Sequence, residues 1–132
     1  PEIVTAGNVL LVAGSGIGTD TNRIELKNVS VLAANASVLN ANGDIFIRQV
    51  PGANGTLTVG NGTVFGNLAS TLDTVGSAAL ADVAGVRTHG GSNANVTLTT
   101  SAGNLTLTQN VSANGSGYVD LRANGTGALG EI

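Results

Sequence analysis

The chain has 132 residues, enough for one domain, and 42% of them are hydrophobic, which excludes a disordered linker. Aromatic residues make up 2% and Trp, Met and Cys are absent, so the core must be built from Val, Leu, Ile and Ala. Charged residues are 10% with a formal net charge of −3, and the five basic residues Arg23, Lys27, Arg48, Arg87 and Arg122 are too dispersed to form the cationic stripe that nucleic acid or an anionic bilayer requires.

Gly, Asn, Thr and Ser fill most of the remainder, a mixture that suits short strands and tight turns and suits long helices poorly. In chain order, alternating segments are predicted at Val9 to Val12, Arg23 to Leu26, Val29 to Ala33, Asp44 to Arg48, Thr56 to Val59, Thr63 to Phe65, Val96 to Thr100, Leu105 to Thr108 and Tyr118 to Arg122. Asn-Gly pairs at 42–43, 54–55, 61–62, 114–115 and 124–125 supply residues that tolerate positive φ and turn the chain. Near residues 71–86 the pattern breaks, and Leu72, Val75, Ala78, Ala79, Leu80, Val83 and Val86 fit a short helix or an irregular excursion.

An antiparallel sandwich and a parallel solenoid compete for this pattern, and the spacing favours the solenoid. Like strands recur at about twenty residues: Val9 and Val29 open similar segments, and Ile24 precedes Ile45 as Val96 precedes Tyr118. The expectation is an all-β, parallel β-helix of about six coils over 1–132. Its inward ladders are Val9/Leu11, Val29/Val31, Ile45/Ile47, Leu57/Val59, Val96/Leu98, Leu105/Leu107 and Val119/Leu121.

The stretches Gly7 to Gly14, Gly43 to Ile47 and Gly103 to Thr108, together with the turn Gly16 to Asn22 leading into Ile24, resemble the repeats of filamentous-haemagglutinin-like bacterial exoproteins. That resemblance implies a right-handed β-helix, export to the cell surface and a role in adhesion or matrix. Absence of cysteine agrees with export. The chain opens at Pro1 without signal peptide or initiator Met, which reads as a processed product or an excerpt from something longer.

The acids Glu2, Asp20, Glu25, Asp44, Asp73, Asp82, Asp120 and Glu131 are scattered singly, whereas glycan-cleaving β-helices cluster carboxylates on one face; no catalytic residue is assigned. His89 stands in a turn with no second His and no Cys to build a metal or nucleophile site. Asp20 and Asp44 lie in Gly- and Asn-rich turns and read as corner residues capping their own backbone rather than as calcium ligands, and no cofactor is expected.

Nine Asn-x-Ser/Thr sequons stand at Asn28, Asn35, Asn54, Asn61, Asn95, Asn104, Asn110, Asn114 and Asn124, about threefold more than 15 Asn and 24 Ser or Thr would give by chance. Alternation on a strand produces some of these, since positions i and i+2 share the polar face. The turn sites Asn54, Asn61, Asn114 and Asn124 do not have that explanation and are the first candidates for N-glycosylation. The sequence-level reading is a secreted structural or adhesive fibre segment whose partner is itself, by continuation of the same chain or by end-to-end stacking, with glycans and matrix as further partners. The alternative is a glycan-binding or glycan-cleaving β-helix.

Overall fold

A computed structural model describes residues 1–36, 43–60, 85–89 and 93–124. These form eleven strands and no helix: β1 (Ile3–Val4), β2 (Asn8–Val12), β3 (Ile24–Lys27), β4 (Val31–Ala36), β5 (Ile45–Val50), β6 (Leu57–Val59), β7 (Val86–Thr88), β8 (Val96–Thr100), β9 (Leu105–Leu107), β10 (Val111–Ser112) and β11 (Val119–Ala123). Every strand pair is parallel, so the antiparallel alternative has no counterpart among the described residues.

The strands form two sheets, and the chain alternates between them. One sheet runs β1-β3-β5-β8-β11, in chain order. In the other, β2 pairs along one edge of β4, while the opposite edge of β4 takes β6 against Val31 and Leu32 and β7 against Ala34 to Ala36. Beyond them, β9 pairs with β6 and β10 with β7. Partners Ile3↔Leu26, Val9↔Leu32, Ile24↔Ile47 and Val96↔Val119 share one sequence step, 23 positions, which also separates the hydrogen-bonded pairs Glu25 and Arg48, and Asn95 and Tyr118. In these pairs the spacing is slightly longer than the matching segment openings suggest, whereas Val86↔Val111 and Val31↔Thr58 step by 25 and 27 positions and Ile45↔Val96 by 51.

The extra length lies in the corners. Asn28 adopts φ 63° and turns the chain out of β3, so that Val29 and Ser30, expected in a strand, belong to the corner. Val29 is buried there, but the phase of β4 shifts by one. Leu32, Ala34 and Ala36 face the core, and Val31, expected inside, is only half-buried. Elsewhere the alternation holds, and Leu26, Ile45, Ile47, Leu57, Val59, Val86, Val96, Leu98 and Leu105 are fully buried in one cluster. Leu107 and Val119 occupy core-facing rows yet are 39% and 41% exposed, because β9 and β11 are the last strands on their sheet paths. Residues 61–84 lie outside the description, and with them the strand predicted at 63–65 and nearly all of the excursion near 71–86; of the latter, Val86 opens β7.

Two polar devices close the corners. Gln49 points into the core beside Ile47 and is fully buried. Its Nε2 donates to the carbonyls of Val29 (2.8 Å) and Thr56 (2.9 Å), and its Oε1 accepts the Val29 N–H (3.1 Å), so one side chain satisfies three backbone groups of two adjoining corners. The corner preceding β5 is joined to the next by Asp44, whose carboxylate accepts the Asn95 N–H at 2.7 Å, and Asn95 in turn accepts the Tyr118 N–H at 3.0 Å. Asp44 thus caps the neighbouring strand's backbone rather than its own.

Candidate functional site

Alternation that puts Ile24, Ile47, Leu98 and Leu121 inside the first sheet puts their neighbours on its outer face. Register there lines up Glu2, Glu25, Arg48, Thr99 and Arg122 in one row, and Arg23, Phe46, Thr97 and Asp120 in the next. Charges therefore concentrate on this surface. Glu25 pairs with Arg48 on the adjacent strand, and Arg122 with Asp120 two residues earlier on its own strand, through Nε at 3.0 Å and Nη2 at 2.6 Å. The Arg48 hydrogen bond holds the Glu25 carboxyl below its ordinary value of 4.5, and Arg122 lowers Asp120 from 3.8 in the same way.

One wall of the site is a turn that leaves the sheet. Ile17 pairs with Ile45 and Ile24 with Ile47, so the span from Ile17 to Ile24 faces the much shorter span from Ile45 to Ile47 and its surplus protrudes. The protrusion needs Gly18, which has φ 70° and whose Cβ, if it had one, would stand 2.5 Å from the Phe46 carbonyl oxygen. The turn closes on itself: Thr19 N–H donates to the Asn22 carbonyl at 2.9 Å and Asn22 N–H to Thr19 Oγ1 at 3.0 Å. Arg23 at its base donates to Asp20 at 3.0 Å and reaches across β5, where Phe46 is buried on the outer face, to Thr99 Oγ1 at 3.4 Å.

Between this turn and the sheet opens a polar cleft of about 530 Å³, lined by Glu2, Asp20, Thr21, Asn22, Arg23, Glu25 and Arg48. Three acids that stand apart in the sequence thus converge, which sequence spacing alone does not reveal. Their oxygens are occupied in part: Asp20 with Arg23, Glu25 with Arg48, and Glu2 Oε2 with the Glu25 N–H at 2.6 Å. Carboxylates and guanidiniums facing an open cleft suit hydrogen bonding to a polar ligand. Glu25, held ionised by Arg48, is poorly placed to act as a general acid. Among the described residues no group of three or more acids or His could hold a metal ion, and no helix is long and apolar enough to cross a membrane. Tyr118 is exposed but does not line the cleft.

The sequons divide by environment. Asn104, Asn110 and Asn124 are exposed; Asn28, Asn54, Asn95 and Asn114 are half-buried; Asn35 is 3% exposed; Asn61 lies outside the described residues. Asn28 Oδ1 accepts the Asn54 N–H at 3.1 Å and Asn54 Oδ1 the Thr56 N–H at 3.2 Å, so two of these amides serve corners. His89 is not an open surface turn: it is half-buried just after β7, its N–H donates to the Ala36 carbonyl, and burial, then Arg87, lowers its pKa.

No family model, curated protein or solved structure matches the chain.

Proposed function

We propose that this chain is a segment of a right-handed parallel β-helix and serves as a structural or adhesive part of an extracellular fibre of the filamentous-haemagglutinin-like kind. The observation that carries the reading is the order of the strands: in both sheets they follow the chain, all are parallel, and four of the nine pairs share one step of 23 positions. Such a stack has no intrinsic end. Exposed apolar side chains in core-facing rows of the terminal strands, Leu107 on β9 and Val119 on β11, agree with further coils covering them, from the same polypeptide or from another copy. No catalytic role belongs to the reading, and its place is the cell surface.

Sedimentation of the isolated chain over a wide concentration range tests the stacking, with growing, open-ended polymers as the expected result. A monodisperse monomer at high concentration removes the fibre reading. Antibody labelling of intact producing cells tests the location, and labelling only after lysis counts against it.

The cleft favours a second reading, binding of a polar glycan through the Glu2, Asp20, Asn22 and Arg48 side chains. Titration with neutral and acidic oligosaccharides, followed by chemical-shift changes confined to these residues, separates it from a purely structural role.

A further inference from the structure

We infer that the outer row of the first sheet sets the direction and register of stacking, with Arg122 of one copy beside Glu2 of the next. The inference rests on the stacking reading above and names its contact.

The row begins with two acids and ends with a base: Glu2, Glu25, Arg48, Thr99, Arg122. Glu25 has Arg48, but Glu2, beside it, makes no ion pair among the described residues. Like charges on adjacent strands oppose pairing. At the other end, Arg122 holds Asp120 along its own strand and is 58% exposed, with no strand beyond it among the described residues. Continuing the existing register by one strand puts Ala123 opposite Ile3 of the incoming copy and therefore Arg122 opposite its Glu2. The two acids then lie between two guanidiniums.

The second sheet agrees independently. Val9, Leu32, Val59 and Leu107 share a row, as do Leu11, Ala34, Val86 and Val111. One further step sets Val9 of the incoming copy on the exposed Leu107 and its Leu11 on Val111. Apolar meets apolar in one sheet where base meets acid in the other. A head-to-head contact would instead set β1 against β1 and leave Arg122 outside the interface. A heterologous contact of this kind does not close and propagates as a filament.

The chain has no cysteine, so the contact can be read by cross-linking. Residues directly opposite on neighbouring strands lie within disulfide reach. Mixing Glu2→Cys with Arg122→Cys under mild oxidation should give a heterologous covalent dimer, the double variant a ladder of multimers, and each single variant alone no dimer. A second arm reverses charge: Glu2→Arg and Arg122→Glu should each raise the concentration needed for assembly roughly three- to tenfold, and the double reversal should recover it. Circular dichroism checks that each variant folds. Polymers that form without the mixed cross-link, or that ignore both reversals, overturn the register while leaving stacking in place. A wild-type chain that stays monomeric overturns both.

Discussion

Gln49 stands in for three backbone partners at once. Replacing it by Leu preserves shape but strands the N–H and carbonyl of Val29 in the buried core and takes a partner from the half-buried Thr56 carbonyl. The expected cost is about 3–5 kcal/mol, seen as a lower denaturation midpoint with an unchanged slope; a midpoint within error of wild type would mean that water already serves these groups. The alternation Ile45, Ile47, Gln49 contains the signal for this residue, but a polar side chain at a core phase reads as the end of a strand. Asn54 teaches the converse. As a turn residue it looks free to carry a glycan, yet its amide is engaged in the corner. In a host that glycosylates sequons, mass increments are expected on the exposed Asn104, Asn110 and Asn124 ahead of Asn28, Asn35 and Asn95, and occupancy of Asn35 first would contradict the burial argument.

The strands that alternate cleanly, β5, β8 and β9, are legible in the sequence because each carries two β-branched or leucine side chains at spacing two. β4 reads one residue out of phase, since Val31 to Ala34 is apolar on both faces and Val29 mimics its continuation. Corner lengths, and the convergence of Glu2, Asp20 and Glu25, depend on register, which composition does not encode. Register also exposes an insertion. Val31 pairs with Thr58 and Ala34 with Val86, so β6 and β7 behave as one strand interrupted by the segment 61–85, and the break is closed by Gly85 N–H donating to the Gly60 carbonyl at 2.8 Å. Gly85, with φ 75°, makes that closure. Deleting 61–85 should join Gly60 to Val86 and leave a continuous strand against β4, with strand content kept and stability altered by no more than about 1–2 kcal/mol. Loss of cooperative unfolding would show that the insertion is needed for the stack.

At the scale of the whole molecule the charge pairs and His89 act in one direction with pH. Glu25 and Asp120 have lowered pKa values in the fold, so their contribution is present above the ordinary carboxylate range and is lost as pH falls through their folded values, below 4.5 and 3.8. His89 is also lowered, favouring its neutral form, and protonating it below its ordinary 6.5 weakens the fold. Melting temperature is therefore expected to decline in two stages on acidification from neutral pH, and a melting temperature that rises instead would refute the assignment. The monotonic strand order has a mechanical consequence. Pulled from its ends, a stack whose hydrogen bonds lie along the line of force unzips strand by strand instead of shearing as a block. Each ordinary step from a strand to its partner, such as Ile3 to Leu26, would release about 80 Å of contour length, and the longer step from Leu57 to its partner Leu105 about 160 Å. A force trace should show small steps with one double-length step among them.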